Sequence, residues 1–119
     1  MIKKNYKDVE NQEATLSDGT PVKNVYVRWL IDNEHDNAQN FAMRRFEIKP
    51  STNVPLHKHT QDHEIYILSG NGIFYNDVGQ EEKVMIGDVL YIPPNENHGI
   101  KNLGKEDLIF LCLIPYLNK

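Results

Sequence analysis

Short runs of β-branched and aromatic residues, each closed by a turn signal, dominate this chain and leave little room for helices. Residues 21–31 ("PVKNVYVRWLI") follow Asp18-Gly19, a hairpin-type dipeptide. In "FAMRRFEIKP" (41–50), Ala42, Phe46 and Ile48 alternate on the face that also carries Arg44. "EIYILSG" reads as a strand closed by "SGNG", where both glycines are expected to supply positive φ. "GIFY" and "KVMI" flank the polar tip "NDVGQEE" as a hairpin. "DVLYIPPNEN" is a strand stopped by Pro93-Pro94, because proline cannot donate to a ladder. "DLIFLCLIP" is a last, nearly continuous apolar strand. Turn signals every ~8–12 residues indicate an all-β sandwich or barrel. No window sustains the 3.6-residue stripe of an amphipathic helix. The polar segment 7–20 is compatible with an edge strand, a short helical turn or an arm that packs on another subunit.

A chain of 119 residues suits a single domain over 1–119, with 1–20 as an N-terminal arm or edge strand and 40–115 as the barrel core. The net charge of −4 argues against a basic face for nucleic acid. No signal-peptide h-region opens the chain, and no apolar run approaches the roughly 20 residues of a bilayer span. One cysteine, Cys112, rules out an internal disulfide, so a cytoplasmic location is expected. An exposed N-terminal strand would be hidden by pairing, which predicts a homodimer.

Three of the five histidines fall within seven positions, at 57, 59 and 63. On a strand, residues two apart share a face, so His57 and His59 can aim at one point. His63 follows the polar "TQD" and opens the next strand, and His98 comes just after "PPNEN". His98 completes the group only if the sheet closes on itself. His35 sits in a polar loop, "DNEHDN", and is left out. Crowded imidazoles resist being protonated together, whereas neutral imidazole nitrogen is a good ligand for first-row transition metals.

These residues resemble the two cupin motifs. In the first, G-x5-H-x-H-x3,4-E-x6-G, His57, His59 and Gly70 match, His63 stands where the glutamate usually is, and Ser51 replaces the opening glycine. In the second, G-x5-P-x-G-x2-H-x3-N, Gly87, Pro93, His98 and Asn102 match, with Asn95 in place of the inner glycine. The chain is similar to small monocupins with four histidines. That resemblance implies a double-stranded β-helix, or jelly-roll, barrel holding one divalent transition metal on His57, His59, His63 and His98.

Spacing to Gly70 and shared parity with Ile65 and Ile67 favour His63 over Glu64 as the last ligand. Glu64 is kept as an alternative ligand or base. Four neutral imidazoles leave the ion its full charge, which attracts anionic or enolate-like ligands and favours a lower oxidation state. Mn, Fe and Ni are expected ahead of Zn, Co and Cu, and open coordination positions separate a catalytic from a structural ion.

The same resemblance turns Arg44, Phe46, Phe110, Cys112 and Ile114 toward the metal. Arg44 is then either a bidentate anchor for a carboxylate or a barrel-mouth salt bridge, for example to Glu47. Cys112 is either a small buried apolar group or a redox-sensitive thiol. Phe74, Tyr66 and Tyr91 are expected in the core or an interface, and Trp29 under the N-terminal strand or against a partner. The functional expectation is dioxygenase-like oxidation of a small oxygen-containing molecule. A non-catalytic metal or small-molecule binder and a metal-dependent isomerase or lyase are the alternatives.

Overall fold

The computed structural model describes residues 1–117. Within them the chain forms β1 (Gln12–Thr15), β2 (Pro21–Ile31), a one-turn helix α1 (Asn33–Asp36), β3 (Phe41–Ile48), β4 (Thr52–His57), β5 (His63–Ser69), β6 (Gly72–Asn76), β7 (Glu81–Val84), β8 (Val89–Ile92), β9 (His98–Asn102) and β10 (Leu108–Pro115). All strand pairs are antiparallel and make two sheets, β1-β2-β3-β10-β5-β8 and β4-β9-β6-β7. This is the jelly-roll architecture anticipated from the sequence. No helix among the described residues is long and apolar enough to cross a membrane.

The inner faces follow from side-chain alternation. Along β10, Leu108, Phe110, Cys112 and Ile114 point inward, while Ile109, Leu111 and Leu113 are half-buried on the outer side. That double apolar character explains why the segment reads as continuous hydrophobic sequence: β10 lies in the middle of its sheet, between β3 and β5. Ile48, Ile67 and Leu108 are wholly buried. Each such side chain contributes about 1.5–3 kcal/mol through burial.

β4 and β9 are the strands that composition conceals. β4 contains Pro55, which lacks a ladder donor, and the β4–β9 register slips between Val54 and His57. The glycines of "SGNG" also divide their roles. Gly70 has φ +84° and packs against the backbone of Asp107 and Leu108, whereas Gly72 has no positive φ. Gly72 is small because a Cβ would collide with Leu108 and the carbonyl of Lys101. Both residues that replace motif glycines adopt the left-handed backbone a glycine would take, Ser51 at φ 61° and Asn95 at φ 65°.

Segment 7–20 combines two of its expected forms: a 3₁₀ turn at Tyr6–Asp8 and the edge strand β1 against β2. The arm before it packs on its own chain. Arg45 lies 4.1 Å and Arg28 5.5 Å from the Tyr6 ring centre, and Lys4 pairs with Asp36 at 2.8 Å. Trp29 is half-buried against the core next to this edge.

Asn102 is fully buried and fully satisfied. Its Nδ2 donates to the carbonyls of Ile48 (2.8 Å) and Glu106 (2.9 Å), and its Oδ1 accepts from the Gly104 amide at 3.0 Å. One side chain thereby joins the end of β3 to the β9–β10 turn. Asn102→Ala leaves these backbone groups without partners and should lower the unfolding free energy by about 3 kcal/mol, measured by urea denaturation; a loss of under about 1 kcal/mol would contradict this role.

Candidate metal centre

The histidines meet because both sheets and one connection contribute to the same end of the barrel. His57 ends β4 and His98 begins β9 directly opposite it, with ring centres 4.4 Å apart. His63 opens β5 in the facing sheet. His59 does not sit on a strand beside His57, as the two-residue spacing suggested, because β4 stops at His57. It is carried by the crossing loop instead, whose position is fixed where the Asn95 amide donates to the His59 carbonyl at 2.7 Å.

One ring nitrogen each of His57, His59 and His98 lies within 4.8 Å of the others, close enough to share an ion. His63 is not part of that tight trio, but its ring stacks on His59 at 4.7 Å and stands 5.6 Å from His98. His63 is 6% exposed while Glu64 faces outward, so of these two neighbours the histidine reaches the interior. A second group, Asp32, Glu34 and His35, lies on and before α1, where His35 Nδ1 is 3.0 Å from the Asp32 carboxylate.

Electrostatics keep the interior imidazoles neutral. Burial, assisted by His57, His98 and Arg44, lowers His59 from 6.5 to about 4. Burial and the Arg44 charge lower His63 to about 2. Burial also lowers His98, against the opposing effect of its hydrogen bond to the Glu96 carbonyl. A cluster of neutral imidazoles is the protonation state a metal requires. Two rings are already aimed: His57 Nδ1 donates to the Pro55 carbonyl at 2.8 Å and His98 Nδ1 to that of Glu96 at 2.9 Å, which leaves each Nε2 free to bind.

A cavity of about 70 Å³ opens beside the imidazoles. Space on that scale holds a few waters or one small molecule. Arg44, Phe46, Phe110 and Cys112 line it, whereas Ile114, buried on the same face of β10, does not reach it. Phe74, expected only in the core or an interface, lines it too and packs edge-on against Phe110. The sequence reading also missed Leu16, Val22 and Val25, which β2 and the turn before it bring over the cavity; nothing in the polar segment 7–20 announces the role of Leu16. Tyr66 and Tyr91 are exposed on the outer side of the six-stranded sheet.

Arg44 does not form the salt bridge considered from the sequence. Glu47 is taken by Arg45 at 2.6 Å. Arg44 instead lies over Phe46 and near Trp29, donates to Cys112 Sγ at 3.1 Å, and keeps a buried Nε with no partner among the described residues. Among the described residues, no carboxylate lines the cavity.

The cupin-domain family profile matches residues 44–114, a segment that holds the whole cluster. The chain belongs to the cupin family. This cupin is 42% identical over 84 residues to an oxalate-binding protein of Thermotoga maritima, covering 70% of this chain and 67% of that one. Among solved structures it resembles the polyketide cyclase RemF of Streptomyces resistomycificus, with TM-score 0.85 and 31% identity over 97% of this chain and 79% of the other. It also superposes on a predicted oxalate decarboxylase of Thermotoga maritima, with TM-score 0.80 and 27% identity, covering 98% and 100% of the two chains.

The imidazole environment sets an acid dependence. An unfolded chain protonates His59 and His63 near 6.5, whereas the folded protein resists until about 4 and about 2. The unfolded state therefore binds more protons below 6.5, and stability falls as pH drops from 6.5 toward 4, with His63 extending the loss further down. Chelator-treated protein should show a lower urea midpoint at pH 5 than at pH 7.5, and His59→Gln should shrink that difference. An unchanged midpoint in the wild type would contradict the neutral cluster.

Proposed function

We propose that this cupin holds one divalent transition metal on His57, His59, His63 and His98 and binds a small carboxylate- or enolate-bearing molecule between that ion and Arg44. The reaction proposed is dioxygenase-like oxidation of that molecule. Neutral imidazole donors fit Mn, Fe or Ni as well as Zn, Co or Cu. A bound ion supplies a Lewis acid and an electron conduit.

The observation that carries the reading is the uncompensated Arg44. A half-buried guanidinium beside neutral imidazoles, with a buried Nε that has no partner among the described residues and no carboxylate among the lining residues, calls for an anion from solution. Phe46 holds the guanidinium plane, Phe74 and Phe110 restrict the ligand's size and exclude water, and the neutral rings place no competing carboxylate in the space. Glu64, turned outward, is not placed to act as a base. That last point weighs against isomerase or lyase chemistry driven by a carboxylate base.

A second reading, non-catalytic capture of a small dicarboxylate, is favoured by the identity to the oxalate-binding protein. Oxygen uptake with diketones, flavonols, 2-hydroxy acids and oxalate separates the two: turnover in air but not under nitrogen supports the dioxygenase-like reading, and tight calorimetric binding without turnover supports capture.

Elemental analysis should find about one ion per chain in wild type and in Glu64→Ala, with the ion lost or greatly depleted in His63→Ala. Retention in His63→Ala and loss in Glu64→Ala would overturn the four-imidazole set. Arg44→Met should weaken oxalate binding by about 10–100-fold, the effect of one charge-assisted contact; unchanged affinity removes Arg44 as the anchor. Pairing with a second copy is part of this proposal, and a monomeric mass in light scattering would overturn it.

A further inference from the structure

The four imidazoles differ in what stands behind them. His57 and His98 meet the carbonyl oxygens of Pro55 and Glu96 at Nδ1. A carbonyl only accepts, so each of those rings must carry its hydrogen on Nδ1. Behind His63 stands a side chain instead: Cys112 Sγ lies 3.5 Å from His63 Nδ1. Sulfur can donate or accept, so its own surroundings decide which nitrogen of His63 faces the cavity with a lone pair.

Those surroundings are well defined. Cys112 is 1% exposed, and antiparallel pairing sets it across from Arg44 on β3 and Ile65 on β5. Arg44, which has no acceptor capacity, donates to the same sulfur at 3.1 Å. The guanidinium is in turn held over Phe46, 4.9 Å from the ring centre. Arg44 takes up one sulfur lone pair and leaves the other; a His63 ring that offers Nε2 to an ion must carry its hydrogen on Nδ1, and the sulfur 3.5 Å away is the atom placed to accept it.

Resting on the metal reading above, we propose that Cys112 is the positioning residue for His63, with Arg44 as its brace. It does for the fourth imidazole what backbone carbonyls do for the other two. Unlike them, it can be replaced without altering the backbone. The chain Arg44–Cys112–His63 also ties the group that meets an anion to a ring that meets the ion. A ligand that draws Arg44 toward itself therefore changes the support of His63.

The test uses full-length protein loaded with cobalt(II), whose visible bands report ligand geometry, in wild type, Cys112→Ser, Cys112→Ala and Cys112→Val. Removing the acceptor in the alanine and valine variants should weaken cobalt affinity by about 10–100-fold in chelator competition and shift the visible bands. Serine, which can still accept, should stay within about threefold of wild type under the same positioning effect. Metal-free melting temperatures should not follow this order, since valine suits the apolar strand better than serine; a purely structural role would make affinity track stability. Wild-type affinity and spectrum in Cys112→Val would overturn the proposal, as would a serine variant as weak as valine. If valine does not fold, alanine against serine decides. A wild-type protein that takes up no cobalt would instead overturn the metal reading itself, and the proposal with it.

Discussion

The arrangement turns on positive charge in a small apolar space. Three imidazole rings whose nitrogens lie within 4.8 Å, a fourth stacked on one of them and a guanidinium share one end of the barrel, and no carboxylate of the described residues lines the cavity beside them. Burial keeps His59 and His63 uncharged, so the assembly survives as a set of lone pairs rather than a cluster of cations. Arg44 cannot escape in the same way, because a guanidinium does not lose its proton. Its unmet Nε, the aromatic faces around it and its bond to Cys112 all express that one constraint.

The sandwich makes the constraint tolerable. His57 and His98 face each other across β4 and β9, His63 comes from the opposite sheet, and His59 hangs from the loop between. Asn102 and the Asn95–His59 backbone bond fix the turns that set these positions. His57 and His98 are oriented by backbone carbonyls, which costs less conformational entropy than holding long side chains in place.

Strands with strong patterns were legible in the sequence. β2, β3 and β10 announce themselves through β-branched and aromatic runs, and the parity of His63 with Ile65 and Ile67 places it on the buried side of β5. β4 and β9 were not legible, since a proline, a register slip and a high polar content erase the alternation. The motif departures at Ser51 and Asn95 look like losses in sequence, yet both keep the backbone turn a glycine would make. The Cys112–His63 contact was out of reach, because it depends on β10 lying next to β5, a pairing no local pattern encodes. Ile114 shows the limit of parity: it shares the inward face of its strand and still ends beyond the cavity.

His98 stands far along the chain from His57, yet the two are direct cross-strand neighbours. His57, His59 and His63 lie within seven positions of one another, and His98 joins them only when β9 pairs with β4. Non-local pairings of this kind form slowly. Assembly of the imidazole group consequently reports closure of the barrel rather than any local step.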